Sequence, residues 1–244
     1  MAPTPSPAAR RLVVIPARDE APTVEGLVRG AARSACCEVL VVSDASSDGT
    51  AAAARRGGAR VIELPLQLGA WGATQAGLRY ALRHGFDTVV TLDADGQHDP
   101  ACLPQLVATQ ARTGADVVIG TYPERLSRAK RLAWRWFRAL TGLAIEDLTS
   151  GLRVYGPRAV RLLARSEATL LDYQDVGVLL MLRRHGLRVA EVPATMYPRG
   201  AGHSRVFASW LVVARYMAQT TVLCLARVGH PRLPPVDAAP EATP

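Results

Sequence analysis

Hydrophobic residues in the first half of the chain form short apolar runs that alternate with longer amphipathic stretches. The runs are rich in Val, Ile and Leu, which is typical of strands buried on both faces. The stretches carry apolar residues three or four positions apart, as in helices that cover a sheet. The pattern predicts strands at 11–15, 38–42, 60–63, 88–92 and 116–120, and helices at 23–34, 49–56, 70–84 and 100–113.

This alternation of strands and helices predicts the fold class. Strands joined by helices pair in parallel, so we expect an α/β domain with a mostly parallel sheet and helices on both faces. Ligands of such sheets bind beyond the carboxyl ends of the strands. Polar motifs follow three of the predicted strands and should therefore share one rim, at 16–20, 43–48 and 93–97.

After Gly120 the alternation stops and the chain becomes basic. The segment Arg125–Arg138 places cations between Leu, Trp and Phe at helical spacing. Such a helix could lie on a membrane surface, or it could be a solvated helix packed on the core by its aromatic stripe. The C-terminal helix predicted at Val206–Ala226 is interrupted by Arg215 and Gln219, so we do not expect it to span a membrane.

Length and the composition of the ends predict one folded domain. The chain has 244 residues, which suffices for a single large α/β domain with a sizeable core. Residues 1–10 are rich in Pro, Ala and Ser, and residues 229–244 are rich in Pro and Ala. Both ends are expected to be disordered tails, which leaves residues 11–228 as the domain.

The chain is strongly basic, with a net charge of +8 and a pI near 9.9. This charge admits nucleic acid, an anionic membrane or phosphorylated substrates as partners. No nucleic-acid-binding motif is present and only 5% of residues are aromatic, so nucleic acid is not expected. The four cysteines lack Cys-x-x-Cys spacing, which favours reduced thiols in a cytosolic compartment over a zinc site or disulfides.

Two carboxylates and an amide occupy alternate positions after the strand predicted at 88–92. On an extended chain such side chains point to the same side, so Asp93, Asp95 and Gln97 are expected to converge. Oxygen ligands of this kind suit Mg²⁺ or Mn²⁺. Magnesium sites often add water and substrate phosphates to one or two carboxylates, which makes a nucleoside diphosphate the expected partner.

The residues that follow have structural explanations. Asp99 precedes Pro100, which is the pattern of a helix N-cap followed by proline at the first helical position. His98 adjoins the acidic motif but can simply be solvated, and it is left out of the predicted ligand set. An acidic turn with a helix cap is the alternative to a metal site.

Five segments in order resemble glycosyltransferase family 2, in particular its polyprenyl-phosphate (dolichol-phosphate mannose synthase-like) sugar transferases. The resemblance runs roughly from Arg11 to Arg227. Compared with the family pattern, Arg18 replaces an aromatic residue and Ser43 replaces an acidic one, so the nucleotide base stays open. The segments are Pro16 to Glu20, Ser43 to Thr50, Leu68 to Pro100, Thr149 to Arg153 and Arg199 to Arg205.

The resemblance implies a Rossmann-like GT-A fold and a metal-dependent, inverting glycosyltransferase. It would move a sugar from a nucleotide-sugar donor to a polyprenyl phosphate, as a cytoplasmic protein attached peripherally to the inner face of the plasma membrane. Mg²⁺ or Mn²⁺ would be held by Asp93, Asp95 and Gln97, with Asp95 the principal catalytic residue. The donor nucleotide would be bound by Pro16, Arg18, Glu20, Asp44 and Asp93.

The resemblance also implies a phosphate-binding loop with Arg199, His203 and Arg205. Arg153 and Arg125 are weaker candidates that could equally form surface ion pairs. The Gly-rich segment 69–73 suits either an anionic group at a helix N-terminus or tight helix packing. Asp48 could contact the nucleotide or cap a helix.

Two alternatives remain open. If the acceptor is an alcohol, Asp175 would act as its general base, whereas Asp172 would cap the following helix. A nucleotide-binding protein with a decayed active site would explain the changes at Arg18 and Ser43. Retention of Asp93, Asp95 and Gln97 argues against decay.

Overall fold

The computed structural model describes residues 10–35, 37–122, 135–136, 138–139, 145–148, 150–170, 175–197, 218 and 221–222. Several predicted features lie outside the described residues: both tails apart from Arg10, most of Arg125–Arg138, and the loop with Arg199, His203 and Arg205.

The described residues form one sheet flanked by helices. The strands are β1 (Arg11–Ala17), β2 (Glu38–Asp44), β3 (Arg60–Leu64), β4 (Thr88–Thr91), β5 (Val117–Thr121), β6 (Arg153–Tyr155) and β7 (Val189–Pro193). The helices are α1 (Ala21–Ala35), α2 (Thr50–Arg56), α3 (Gly69–Arg83), α4 (Leu103–Thr113), α5 (Pro157–Leu163) and α6 (Val176–Arg184). Short 3-10 turns occupy Pro100–Cys102 and Ser166–Leu170.

The sheet has seven strands in the order β3-β2-β1-β4-β6-β5-β7. Every neighbouring pair is parallel except those of β6, which is antiparallel to both β4 and β5. Arg153 of β6 is paired with Thr91 at the carboxyl end of β4. The residues just before β6 therefore lie beside the acidic motif that follows β4.

Hydrophobic cores fill both faces of the sheet. Leu12 and Val14 of β1 pack with α3, α5 and α6, whereas Val13 and Ile15 pack with α1, α2 and α4. Successive residues of a strand point to opposite faces, which explains why this continuous apolar run serves two layers. The predicted α/β class with a mostly parallel sheet is confirmed.

The prediction that strand and helix stop alternating after Gly120 was wrong. Strands β6 and β7 and helices α5 and α6 all follow that residue. Strand β6 has three residues, all buried, and α5 has seven residues. Elements this short do not repeat a hydrophobic period often enough to be recognised.

No helix in the described part of the chain has the length and apolar composition needed to cross a membrane. The C-terminal run Trp210 to Ala226 is almost entirely outside that part. Of the basic segment, Arg135, Trp136, Arg138 and Ala139 are described and helical, and Trp136 is 52% exposed.

Candidate active site

The carboxyl ends of β1, β2 and β4 form one rim. Strand β1 is paired in parallel with β2 on one side and with β4 on the other, so the loops after these strands meet. The Ser47 N–H donates to Asp19 Oδ1 over 2.7 Å, and the Thr23 hydroxyl donates to the Ala94 carbonyl over 2.7 Å. These bonds connect the three motifs that the sequence placed on one rim.

The loops after β1 and β2 hold each other in strained backbone conformations. Asp19 has φ +50° and Ala45 has φ +49°, the left-handed region that non-glycine residues seldom occupy. Such residues cost on the order of 1–3 kcal/mol each and persist only where their surroundings fix them. Here the Asp19 carboxylate accepts from the Ser47 N–H and hydroxyl, and the Asp19 N–H donates to the Ser46 hydroxyl. The loops are therefore preorganised.

Asp48 has the structural role of a helix cap. Its carboxylate accepts hydrogen bonds from the N–H of Ala21 at the start of α1 and from the N–H of Thr50 at the start of α2. Burial of the Asp48 carboxylate raises its pKa, but the hydrogen bonds from Thr50 and Ala21 outweigh this effect and hold the pKa below its usual value. This location supports the capping interpretation.

Asp44, the last residue of β2, is 3% exposed and faces the start of α3. Its Oδ1 accepts from the Leu68 N–H at 2.6 Å, and its Oδ2 accepts from the Gly69 N–H at 2.9 Å. The anion at this helix N-terminus is thus a carboxylate of the protein itself. Gly69 adopts φ +77°, and a Cβ on Gly72 would lie 2.5 Å from that of Leu68. The glycines of segment 69–73 serve a turn and close packing.

The other predicted donor residues line the same rim. Pro16 lies in β1 opposite Val42 of β2. The Arg18 side chain is 42% exposed, with Nε 3.9 Å from the Asp19 carboxylate. The Glu20 N–H donates to the Thr50 hydroxyl. The partly buried Glu20 carboxylate lies beside Thr23.

The predicted reason for convergence of the acidic motif was wrong. Strand β4 ends at Thr91, and the following residues turn, with Gly96 at φ +73°. Asp95 Oδ1 accepts from the Gln97 N–H over 3.1 Å, an Asx turn in which a side chain imitates the backbone. The three side chains are therefore arranged by a turn and not by strand alternation.

Asp93 lies against a glycine of the segment before β6. A Cβ on Gly151 would lie 2.1 Å from Asp93 Oδ1 and 2.3 Å from Oδ2, so the carboxylate occupies the space that any other residue would fill. The Gly151 carbonyl accepts from the Thr91 hydroxyl over 2.7 Å. A side chain at 151 would have to displace the Asp93 carboxylate because of this close approach.

His98 is not solvated, and that expectation was wrong. The residue is 2% exposed, and its Nε2 lies 3.2 Å from Asp93 Oδ2. Its backbone forms an antiparallel bridge with Met196. His98 was missed because burial of a single histidine in a turn leaves no periodic signal in the sequence.

The segment 195–197 runs alongside the acidic turn. The Tyr197 N–H donates to the Gln97 carbonyl over 2.7 Å, and the Asp99 N–H donates to the Thr195 carbonyl. The Tyr197 hydroxyl donates to Asp99 Oδ2 over 2.8 Å, a bond that raises the pKa of Tyr197. Asp99 Oδ1 accepts from the Ala101 N–H, which confirms the predicted cap.

Arg153 is buried, so the alternative that it forms a surface ion pair was wrong. It is 0% exposed, and its guanidinium donates to the carbonyls of Ser150 and Leu148, each over 2.9 Å. The side chain therefore shapes the backbone around Gly151. The carbonyl contacts support a structural role for Arg153.

Asp175 caps the helix that follows. Helix α6 begins at Val176, and Asp175 accepts from the Gly177 N–H at 3.5 Å. Asp175 is 8% exposed, and Asp172 lies outside the described residues.

The donor set at the acidic turn fits a hard divalent cation. Within the described ranges no group of three or more His, Cys, Asp or Glu residues is arranged to hold a metal. The Asp93 side chain is 42% exposed. Its carboxylate lies in the space that a Cβ on Gly151 would occupy. Two carboxylates with one amide match Mg²⁺ or Mn²⁺, which take their other ligands from water and substrate phosphates.

Comparisons with known proteins agree with this geometry. The family model described as glycosyl transferase family 2 matches residues 12–166. The chain is 34% identical to undecaprenyl-phosphate mannosyltransferase of Micrococcus luteus, covering 81% of this chain and 87% of the relative. It is 31% identical to polyprenol monophosphomannose synthase of Mycolicibacterium smegmatis, with 84% of each chain covered.

A solved structure has the same fold. Glucosyl-3-phosphoglycerate synthase from Mycobacterium tuberculosis, in complex with Mn²⁺, uridine diphosphate and phosphoglyceric acid, matches with a TM-score of 0.69 at 22% identity. The match covers 92% of this chain and 80% of that one. The fold is therefore of the GT-A type, and the chain belongs to glycosyl transferase family 2 and is a glycosyltransferase.

Proposed function

We propose that this enzyme transfers a sugar from a nucleotide-sugar donor to a polyprenyl phosphate, with inversion at the anomeric carbon and with Mg²⁺ or Mn²⁺ as cofactor. The relatives from Micrococcus luteus and Mycolicibacterium smegmatis are named for transfer to polyprenyl phosphates or polyprenols. The M. tuberculosis synthase binds Mn²⁺ and uridine diphosphate on the same fold. Both observations support the proposal.

One contact of this chain carries the proposal. The residues that continue the acidic turn, 97–99, are hydrogen-bonded along 195–197. Tyr197 is two positions before Arg199, the first cation of the predicted phosphate loop. The chain at Tyr197, just before the predicted cationic loop in sequence, therefore lies beside the turn that follows Asp93 and Asp95. Cations that follow Tyr197 would suit an acceptor phosphate that must approach the donor sugar.

The residues on the donor side have different roles. The strained loops at Asp19 and Ala45 shape the rim for the nucleotide, and Asp44 fixes the start of α3 beside it. Arg18 is exposed there and its planar guanidinium can stack on a base. Asp93, Asp95 and Gln97 would hold the cation, which would neutralise charge on the departing diphosphate.

The reaction is a direct displacement. An oxygen of the acceptor phosphate attacks the anomeric carbon from the face opposite the donor diphosphate. The new carbon–oxygen bond forms as the bond to the diphosphate breaks, and the nucleoside diphosphate leaves with the electron pair. An acceptor phosphate is already largely dianionic at pH 7, since its second pKa is about 6, so it needs no base.

The structure favours neither an alcohol acceptor nor a nucleotide-binding protein with a decayed active site. An alcohol acceptor would require a general base, and the Asp175 carboxylate is buried at the N-terminus of α6, where it accepts a backbone hydrogen bond. In a protein with a decayed active site, nothing would require a glycine at position 151 next to Asp93. Both features support a working phosphate-directed transferase.

A substrate panel tests the proposal. The purified chain would be incubated with Mn²⁺, a set of radiolabelled nucleotide sugars, and either a short polyprenyl phosphate or the matching polyprenol. We expect label in the lipid phase with the phosphate, and loss of that label on chelation. Transfer only to the polyprenol would reject the phosphate acceptor, and transfer after complete chelation would reject the metal.

A further inference from the structure

The carboxylate of Asp93 is contacted from two sides by residues outside the predicted set of metal ligands. Its Oδ2 lies 3.2 Å from His98 Nε2. On the other side it packs on Gly151, where a Cβ would lie 2.1 Å from Oδ1. We infer that His98 is a positioning residue which, with Gly151, fixes Asp93 in the orientation needed for cation binding; this rests on the proposed function.

His98 is itself held rigidly. Its side chain is 1% exposed, and its backbone is bridged to Met196 between two further hydrogen bonds, from Tyr197 to Gln97 and from Asp99 to Thr195. Nδ1 is buried and has no hydrogen-bond partner among the described residues. A buried N–H without an acceptor is costly, so the proton belongs on Nε2, where it donates to Asp93.

A hydrogen bond from a residue outside the metal site can fix the orientation of a side chain that binds the metal. One lone pair of Asp93 Oδ2 is taken by His98, so the carboxylate cannot rotate freely. Residues that orient metal ligands in this way typically change metal affinity or activity 10- to 100-fold when they are replaced. The opposing wall is tied to β4, because the Gly151 carbonyl accepts a hydrogen bond from the Thr91 hydroxyl.

The three nearest atoms to a Cβ at Gly151 all belong to Asp93. Gly151 has no positive φ, so the contact with Asp93 is the main strain expected from alanine there. The effect of Gly151→Ala should therefore pass through Asp93. Gly26 is the matched control, since it lies in α1 and a Cβ there meets nothing within 4 Å.

The first test measures Mn²⁺ binding through the electron paramagnetic resonance signal of free Mn²⁺. The nucleoside diphosphate in the assay is the one that the parent binds best among UDP, GDP, ADP and CDP. We expect His98→Leu to weaken Mn²⁺ binding about 10- to 100-fold. His98→Gln, which keeps an N–H donor at the same reach, should recover affinity to within about threefold of the parent. Asp93 is 42% exposed at its side chain, so water can replace the lost donor and the melting temperature should change little.

Two results separate this inference from the proposed function. If the parent binds Mn²⁺ and His98→Leu binds it equally well, His98 does not position Asp93, although the metal site stands. If the parent binds no Mn²⁺ with any of the nucleotides, the metal-dependent function fails and the inference fails with it.

A double-mutant cycle tests the clamp without any metal. Urea melts would compare Gly151→Ala in the parent and in an Asp93→Ala background. The substitution should lower the denaturation midpoint in the parent and leave it nearly unchanged where the carboxylate is gone, while Gly26→Ala lowers it in neither. Equal losses from Gly151→Ala in both backgrounds would overturn the inference.

Discussion

The Asp44 carboxylate and the Gly69 N–H are joined by a 2.9 Å hydrogen bond that crosses from the end of β2 to the start of α3. With its second bond, to the Leu68 N–H, Asp44 satisfies two of the backbone donors that a helix leaves open at its N-terminus. The donor rim and the third helix are therefore coupled through one buried side chain.

We expect Asp44→Ala to lower the free energy of unfolding by about 1–3 kcal/mol, because it leaves buried backbone donors without an acceptor. Asp44→Asn should lose less, since its amide oxygen can accept one of the two bonds. Urea melts of the metal-free protein measure both. Asp87→Asn is the control: Asp87 is exposed and accepts one backbone bond, from Arg10. A smaller loss for Asp44→Ala than for this control would show that Asp44 does not hold α3.

The second prediction concerns Asp95. Asp95→Asn should keep the fold and lose at least about 10²- to 10³-fold in turnover, the scale of removing one group that stabilises charge in a transition state. Initial rates of sugar transfer at saturating Mn²⁺ measure it. Asp99→Asn is the control, since Asp99 caps the neighbouring turn and asparagine caps equally well, so this variant should keep near-parent turnover. Near-parent turnover of Asp95→Asn would remove Asp95 from the proposed metal ligands.

Much of the fold could be predicted because the first half of the chain repeats its pattern. Strands β1 and β2 are long apolar runs, and both continue two residues beyond their predicted ends, to Ala17 and Asp44. Strand β6 could not be recognised in the sequence because it has only three residues. Its position is determined by pairing with β4 and β5. Such pairing depends on contacts that are distant in sequence.

The sequence indicates the candidate ligands of the site but not the residues that contact them. The positions of Asp93 and Asp95 follow from motif and strand order, whereas the contacts of Asp93 with His98 and Gly151 arise from two separate segments. Arg153 illustrates the same limit, since its charge suggested the surface and its carbonyl partners lie inside. Burial of a polar residue depends on partners that a linear pattern does not reveal.

The third prediction follows from Glu191 on β7. Burial of the Glu191 carboxylate raises its pKa above 4.5, and the nearby Glu146 and Asp147 add to this, despite hydrogen bonds from their N–H groups. A raised pKa in the folded state means that the proton is bound more tightly there than in the unfolded chain. The stabilising effect is therefore complete below about pH 4.5 and is lost as pH rises through the folded-state pKa.

Urea melts across pH measure this effect as the difference in unfolding free energy between the parent and Glu191→Gln. As pH rises above 4.5, the unfolding free energy of the parent should fall relative to that of Glu191→Gln. Asp48→Asn is a control of opposite sign. The pKa of Asp48 is lowered from 3.8, so its contribution is present above that pH and is lost as pH falls through the folded-state pKa. A parent advantage over Glu191→Gln that grows with rising pH would contradict the prediction.

The fourth prediction concerns membrane attachment through the basic segment. Trp136 is 52% exposed, as an interfacial side chain would be. We expect the protein to sediment with vesicles containing anionic lipid and to be released near 1 M salt, where the Debye length falls to about 3 Å. Neutral vesicles should bind it weakly.

A charge-matched pair of variants identifies the segment responsible. Replacing Arg135 and Arg138 by Gln should reduce sedimentation, whereas replacing the exposed Arg29 and Arg33 of α1 removes the same charge and should not. Equal effects of the two pairs would assign binding to net charge alone and not to this segment.

The last prediction separates the two classes of acceptor through Asp175. Asparagine is as good an N-cap as aspartate, so Asp175→Asn should preserve the start of α6 and the melting temperature. An alcohol must lose a proton as it attacks, and a carboxylate base contributes roughly 10²- to 10⁴-fold to such a step. A phosphate attacks without that help, so we expect Asp175→Asn to cost less than about tenfold in transfer to a polyprenyl phosphate. A loss of about 10³-fold, with donor binding and melting temperature unchanged, would assign an alcohol acceptor with Asp175 as its base.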